Sequence, residues 1–189
     1  MKSNQASNQL RIIAGSWRGR KLSFPPVPGL RPTPDRVRET LFNWLSYDIQ
    51  GARCLDLYAG SGALGIEALS RGASEVIFVE SDLKSSRLLE GNLHRLGSDA
   101  KVYTMDARRF VRQIGGEWDI VFLDPPYRHG MLPQILSLLA EHNCLAENAL
   151  IYIESERELD DLKLPPDWHY LKQKKAGQIK YYLASNNLE

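Results

Sequence analysis

The stretch CLDLYAGSGALG, residues 54–65, decides the fold of this 189-residue chain. Its apolar start predicts a strand over Cys54–Tyr58, and a helix is predicted from about Ala63 to Arg71. Between them the glycines are spaced as G-x-G-x-x-G. Glycine lets a backbone approach a ligand closely, so this strand–turn–helix unit is typical of cofactor sites in α/β proteins. Taken alone, the glycine spacing also fits a tight turn with no ligand.

The flanking sequence continues the alternation of strand and helix. Asp119–Leu123 is almost entirely apolar, which is typical of a parallel strand covered on both faces. Further strands are predicted at Glu75–Glu80, Lys101–Met105 and Ala149–Ile153, with a terminal hairpin formed by Trp168–Lys174 and Gln178–Ala184. Helices in the intervals carry apolar residues in phase. This order predicts an α/β protein with a doubly wound sheet.

The residues before this unit predict a small appendage. Arg11–Ala14 and Arg20–Phe24 are short, β-prone and separated by a glycine-containing turn, which indicates a hairpin. Thr33 followed by Pro34 predicts a helix start, with Thr33 as the N-cap. We therefore divide the chain into a basic tail and hairpin extension, residues 1–32, and one domain, residues 33–189.

Composition excludes several classes of protein. The hydrophobic fraction is 43% and the charged fraction 25%, which is ordinary for a globular protein. The apolar runs are too short to span a bilayer, and Met1–Gln9 has no apolar signal segment. Cys54 and Cys144 have no zinc-type spacing, so no metal is expected, and they fit a reducing cytoplasm.

The net charge of +1 is unevenly distributed. Residues 1–38 carry a net +7, residues 39–162 a net −9 and residues 163–189 a net +3. Two basic ends therefore flank an acidic middle. This pattern fits either solvated surface charge or a surface that faces a polyanion.

Carboxylates follow three of the predicted strands and distinguish between two cofactors. Asp56, directly before the glycines, would repel a pyrophosphate but can accept a hydrogen bond from an ammonium group. Glu80 can accept from ribose hydroxyls. Asp106 can accept from an adenine amine or cap the next helix. This set favours S-adenosylmethionine over a dinucleotide. The predicted cofactor residues here are Asp56, Tyr58, Ala59, Gly60, Ser61, Gly62, Glu80, Asp106 and Ala107.

The segment Asp124-Pro125-Pro126-Tyr127 follows the apolar strand predicted at Asp119–Leu123. Two prolines remove two backbone donors, which leaves the Asp124 carboxylate and the Pro125 carbonyl as acceptors. Two acceptors can hold the N–H groups of an exocyclic base amine and stabilise charge that develops on its nitrogen. Tyr127 can stack on the base. These four residues are the predicted catalytic set for transfer of a methyl group to an amine.

Several longer stretches resemble the bacterial RsmD family of class I methyltransferases. The matching stretches are residues 11–15, 17–22, 29–33, 35–43, 59–65, 67–72, 124–127 and 150–154. The resemblance implies a 16S ribosomal RNA guanine-N2 methyltransferase that acts on the assembled small subunit. It also implies a Rossmann-like seven-stranded sheet whose last strand is antiparallel. It places Leu30–Arg36 near the methionine end of the cofactor, so Thr33, Arg36 and Asp124 join the predicted cofactor residues.

The basic residues gain a role in this interpretation. We predict that they contact RNA phosphates, which position RNA without reading its sequence. The predicted set is Arg18, Arg20, Lys21, Arg31, Arg128, Lys172, Lys174, Lys175 and Lys180. A monomer in the cytoplasm, without a membrane partner, is expected. The alternatives are a nicotinamide-dependent oxidoreductase, a DNA adenine-N6 or cytosine-N4 methyltransferase, and a non-catalytic RNA-binding domain.

Overall fold

A computed structural model describes residues 8–24, 33–113, 116–126, 130–156 and 162–187. The strands in these ranges are β1 (Asn8–Arg11), β2 (Lys21–Phe24), β3 (Arg53–Asp56), β4 (Glu75–Glu80), β5 (Val102–Thr104), β6 (Trp118–Leu123), β7 (Leu145–Glu156), β8 (His169–Ala176) and β9 (Ile179–Ser185). The helices are α1 (Asp35–Trp44), α2 (Ala63–Ser70), α3 (Leu83–Leu96), α4 (Ala107–Gln113) and α5 (Met131–Glu141). The predicted alternation of strand and helix is therefore confirmed.

Seven strands form one sheet in the order β5-β4-β3-β6-β7-β9-β8. The first five strands in that order are parallel, and β9 pairs antiparallel with both β7 and β8. The predicted seven-stranded sheet with an antiparallel last strand is confirmed. The chain reverses its direction of winding between β3 and β6. In open α/β sheets, ligands bind at such a switch point, outside the carboxyl ends of the strands.

Helices cover both faces of the sheet. Helices α1, α2 and α3 share one apolar cluster with Phe78 of β4 and Phe122 of β6, and α4 and α5 share a second cluster with Val121 of β6. Strand β6 is buried on both faces, which explains its continuous apolar sequence. The strand ends that carry the carboxylates are thereby held in a rigid core.

The predicted N-terminal hairpin is present and pairs Leu10 with Leu22. Its first strand begins at Asn8, three residues earlier than predicted. Both Leu10 and Leu22 belong to the cluster that contains α1–α3, so the hairpin shares the core of the main domain. A glycine is required at Gly15, where φ is +81° and a Cβ atom would lie 1.7 Å from the backbone oxygen of Ser70.

A buried carboxylate attaches this hairpin to α2. The Glu67 side chain accepts hydrogen bonds from the backbone N–H groups of Ile13 and Ala14, each at 2.9 Å. The Arg38 Nη1 atom lies 3.5 Å from Glu67 Oε2, and both side chains are fully buried. A buried carboxylate must be paired or hydrogen-bonded, and Glu67 is both. The hairpin, α1 and α2 are therefore joined at one polar point inside the core.

The start of α1 differs from the sequence prediction. Pro34, not Thr33, is the N-cap residue, and no side chain caps the helix. The Pro34 carbonyl accepts from the N–H groups of Val37 and Arg38. The prediction of Thr33 as the N-cap is therefore wrong by one residue. The Thr33 hydroxyl instead donates a hydrogen bond to Asp124, outside α1. Within the described ranges, no helix has the length and apolar character needed to cross a membrane.

Candidate active site

Five carboxylates lie at or beyond the carboxyl ends of neighbouring strands. Asp56 ends β3, Glu80 ends β4 and Glu154 lies near the end of β7. Asp106 and Asp124 follow β5 and β6. Because these strands are parallel neighbours, the carboxylates share one edge of the sheet. The structure thus brings together the acidic residues that the sequence placed on separate strands.

The glycine turn connects β3 to α2 at this edge. Gly60 and Gly62 have φ angles of +50° and +78°. A Cβ atom on Gly62 would lie 2.4 Å from Leu89 Cδ1, so the position also lacks room for a side chain. Gly62 is the N-cap residue of α2, and no side chain caps this helix. The turn therefore presents backbone rather than side chains to a ligand.

Glu80 holds the same turn from the next strand. Its Oε2 atom accepts a hydrogen bond from Gly60 N at 2.7 Å, and its Oε1 atom accepts from Asp82 N at 2.7 Å. Each carboxylate oxygen has a second lone pair, so Glu80 can still accept from two hydroxyl groups. The side chain is partly exposed, which leaves those lone pairs accessible.

Asp56 is buried, with 3% of its surface exposed. Its Oδ2 atom accepts from Gly65 N at 3.0 Å, which ties β3 to the first turn of α2. Burial raises the pKa of Asp56 to about 7, the Gly65 hydrogen bond opposes this, and the Glu80 carboxylate adds to it. A positive ligand group near Asp56 would stabilise its ionised form.

Asp106 is exposed and has a close partner that the sequence analysis did not single out. Its carboxylate accepts from Arg108 N at 2.9 Å, Arg108 Nη2 at 2.9 Å and Arg109 N at 3.2 Å. The side-chain hydrogen bond from Arg108 is the largest cause that lowers the pKa of Asp106. The two amide contacts are those of a helix cap. An adenine amine would have to share this carboxylate with Arg108.

Asp124 lies at the centre of the edge. The Thr33 hydroxyl donates to its Oδ2 atom at 3.3 Å. Burial, followed by the negative charges of Glu154 and Asp56, raises the pKa of Asp124 well above its usual range. The Tyr152 hydroxyl donates to Glu154 at 2.9 Å. Pro125 is buried and Pro126 exposed. The predicted stacking residue Tyr127 lies outside the described residues.

This set of groups fits the cofactor predicted from the sequence. Carboxylates at the ends of β3, β4 and β5 suit a ligand that has a positive charge, hydroxyl groups and an amine. They would repel a pyrophosphate. Among the described residues, no cluster of three or more His, Cys, Asp or Glu side chains is arranged to hold a metal ion. The edge therefore suits S-adenosylmethionine better than a dinucleotide.

Comparison with known proteins gives one consistent result. The family described as Conserved hypothetical protein 95 matches residues 10–185. Ribosomal RNA small subunit methyltransferase D of Escherichia coli K12 is 50% identical over 182 residues, 96% of this chain and 92% of the relative. The protein of that name from Haemophilus influenzae is 45% identical, with 98% of each chain covered. The solved structure of Escherichia coli yhhF is 46% identical, with a TM-score of 0.88 over 96% of this chain and all of that one.

This chain belongs to the RsmD family. Its fold is that of the class I methyltransferases, with the N-terminal hairpin as an addition. In this RsmD chain, the glycine turn follows β3 and Asp124 follows the adjacent strand β6. Arg36, the second residue of α1, is exposed, whereas Thr33 contacts Asp124 directly. The family resemblance placed Thr33 near the site, but the sequence did not indicate that Thr33 contacts Asp124.

The basic residues of this RsmD chain do not form one uniform set. Arg18, Arg20 and Lys21 are exposed on the N-terminal hairpin, as are Lys172, Lys174 and Lys175 on β8. Lys180 is only 8% exposed, so it does not fit the predicted role of a phosphate contact. Its position in β9, between β7 and β8, explains the burial. Arg31 and Arg128 lie outside the described residues.

The three exposed lysines of β8 divide between the two faces of the sheet. Lys172 and Lys174 pair with Leu183 and Tyr181, which belong to the apolar cluster that also contains Leu10 and Leu22 of the N-terminal hairpin. Directly paired residues point to the same face of a sheet, so these two lysines lie on the hairpin's face. Lys175 pairs with Lys180 and lies on the opposite face. The three lysines lie within four residues of the sequence, but two face one side of the sheet and the third faces the other.

Proposed function

We propose that this chain transfers a methyl group from S-adenosylmethionine to the exocyclic N2 amine of a guanine in 16S rRNA, within the small ribosomal subunit. The observation that carries the proposal is the position of Asp124 beside the glycine turn at the switch point of the sheet. The names of the relatives support ribosomal RNA of the small subunit as the substrate. We also infer that the protein acts as a monomer in the cytoplasm, where its substrate is found.

The cofactor would be held by the residues that follow β3, β4 and β5. Glu80 would accept from the ribose hydroxyls, Asp56 from the ammonium group and Asp106 from the adenine amine. The glycine turn, residues 59–62, would lie against the cofactor through its backbone. When bound, S-adenosylmethionine supplies an electrophilic methyl group on a positively charged sulfur.

The chain's own residues would act on the amine. An exocyclic amine is a poor nucleophile because its lone pair is delocalised into the ring. Asp124 and the Pro125 carbonyl would accept from its two N–H groups and stabilise positive charge on nitrogen. The nitrogen must then lose one proton, and Asp124, whose pKa is raised by burial, can receive it at a carboxylate oxygen. Tyr127 would stack on the guanine, an interaction of roughly 1–3 kcal/mol.

The experiment that tests this function is tritiated methyl transfer to small subunits from a strain that lacks the enzyme. Nucleoside analysis should find the label in N2-methylguanosine. The label should be reduced by Asp124→Asn. Asp119→Asn is the matched control for that variant, because Asp119 lies near the amino end of β6 and accepts from Arg53 N, away from the site. In a parallel reaction with DNA as the substrate, label in N6-methyladenine or N4-methylcytosine, with none in the small subunits, would overturn the proposal in favour of a DNA methyltransferase.

The RNA-binding part of the proposal has its own test. If Lys172 and Lys174 contact phosphates on the hairpin's face, neutralising both should reduce the salt dependence of RNA affinity by about two units of slope. Lys175→Ala is the matched control, since it removes the same charge from the other face of the same strand. Cofactor affinity should be unchanged in each variant. Equal effects of all three lysines on the slope would contradict the proposal that RNA lies on the hairpin's face alone, and would keep Lys175 among the phosphate contacts.

A further inference from the structure

We propose that Thr33 is a positioning residue for methyl transfer: its hydroxyl holds the Asp124 carboxyl in the orientation that accepts the substrate amine. The inference rests on the proposed function and assigns a second residue to the same step. Thr33 is 4% exposed and donates to Asp124 Oδ2 at 3.3 Å across 91 residues of sequence. One carboxylate oxygen is thereby engaged, and Oδ1 remains for the amine.

The local sequence explains why Asp124 needs a donor from elsewhere. An aspartate in a turn usually accepts from the backbone N–H two residues further on. Here that residue is Pro126, and the residue between them is Pro125, so neither has an N–H group. The motif that frees the two acceptors for a substrate thus also removes the groups that would fix the carboxyl. Among the described residues, the hydrogen bond that reaches this carboxyl comes from Thr33.

The Thr33 hydroxyl is available because α1 does not use it. A threonine at this position commonly caps the helix, but here Pro34 is the cap residue. Helix α1 is itself fixed, since Arg38 is fully buried against Glu67 and donates to Asp35 at 2.6 Å. Thr33 therefore lies two residues before a helix that is fixed in the core.

The other charged or titratable neighbours of Asp124 do not replace this donor. Glu154 on β7 and Asp56 on β3 are carboxylates that raise the pKa of Asp124 by repulsion. The Tyr152 hydroxyl on β7 donates its hydrogen bond to Glu154. The Thr33 hydrogen bond opposes the rise, because a donor stabilises the ionised carboxylate. Removing it should misorient the group and make ionisation of Asp124 harder.

The test compares Thr33→Val, which keeps the shape but loses the hydroxyl, with Thr33→Ser, which keeps the hydroxyl. Single-turnover methylation of small subunits is measured across pH, and S-adenosylmethionine affinity is measured by calorimetry. Thr33→Val should be slower by about tenfold, with its acid limb moved to higher pH and cofactor affinity nearly unchanged. Thr33→Ser should have the wild-type rate and the wild-type acid limb. Thr40→Val is the control, since the Thr40 hydroxyl donates within α1, to Arg36 O at 3.0 Å.

Each other result has a distinct meaning. Equal rates and pH limbs for wild type and Thr33→Val would overturn the positioning role and leave the proposed function intact. Equal loss in the valine and serine variants, or a large loss of cofactor affinity, would also overturn it in favour of a packing or cofactor role. A wild-type enzyme that puts no methyl group on guanine N2 would overturn the proposed function itself.

Discussion

Two kinds of carboxylate share the active edge of the sheet, and they differ in what surrounds them. The central carboxylates, Asp56 and Asp124, follow β3 and β6 and have pKa values raised by burial. The flanking carboxylates are Glu80, which ends β4 and accepts from the N–H groups of Gly60 and Asp82, and Asp106, which follows β5 and is exposed. The central pair is suited to meet positive charge, and the flanking pair to hold neutral hydroxyl and amine groups.

Position in the sheet explains the difference. The ends of β3 and β6 are enclosed by neighbouring strands and by helices on both faces, so charge there is poorly solvated. Strand β5 lies at the edge of the sheet, and Asp106, two residues beyond its end, is exposed to water. Ionisation of the central pair is therefore costly until a cation or a positively charged amine arrives.

The largest effect is expected at Asp124. Asp124→Ala should lower the single-turnover methylation rate by roughly 10²–10⁴-fold, because the lost interaction strengthens as the amine becomes positive. Asp124→Asn keeps one acceptor and the shape, so it should retain more activity. Cofactor affinity measured by calorimetry should change far less in both. Parental rates in both variants would remove Asp124 from the chemistry.

Asp56 should reveal the cost of its burial through the pH dependence of stability. Its pKa rises from the ordinary 3.8 to about 7 on folding, so the unfolded chain ionises first and stability falls as pH rises through this range. Asp56→Asn removes the titration. The free energy of unfolding of the variant relative to wild type should therefore increase by about 2–3 kcal/mol between pH 5 and pH 8. Denaturant melts at both pH values measure this.

A pH-independent difference between wild type and Asp56→Asn would contradict the assignment of Asp56 to the central pair. Asp119→Asn provides the control, because Asp119 is partly exposed at the opposite end of β6. The same substitution at that position removes a carboxylate outside the central pair, and its difference from wild type is measured at the same two pH values.

Glu80 should act on binding rather than on rate. Hydrogen bonds to a charged group contribute roughly 1.5–3 kcal/mol each, so Glu80→Ala should weaken S-adenosylmethionine binding by at least about tenfold. Glu75→Ala is the matched control, since Glu75 is exposed at the other end of the same strand. Calorimetry measures both variants. An unchanged affinity for Glu80→Ala would remove this residue from the cofactor site.

The smallest effect is expected at the Arg108–Asp106 pair. Exposed ion pairs contribute about 0–1 kcal/mol, so Arg108→Ala should change stability little. It should free the Asp106 carboxylate and tighten cofactor binding by up to about threefold. Arg109→Ala, in which an adjacent exposed arginine is removed, is the control. A tenfold loss of affinity for Arg108→Ala would instead mean that Arg108 itself contacts the cofactor.

Local sequence predicted those parts of the fold and site that depend on local chemistry. The glycine turn, the strands and the Asp124 segment were predictable because periodicity and backbone constraints lie within a few residues. The Thr33–Asp124 contact and the attachment of the hairpin by Glu67 join residues far apart in sequence, and a single chain carries no signal for such pairs. The burial of Lys180 depends on the place of β9 within the sheet, which came from the family resemblance rather than from the residues.

The position of β9 has a consequence for the order of assembly. In the described part of the chain, β8 pairs with the sheet only through β9, although β8 precedes β9 in the sequence. During synthesis, β8 therefore emerges first and has no strand to pair with, while the edge of β7 stays open. A chain cut after Gly177 would lose two strands from the sheet, not one. Pulse-labelled ribosome-bound chains of increasing length should become protease-resistant in one step, once β9 has left the ribosomal tunnel.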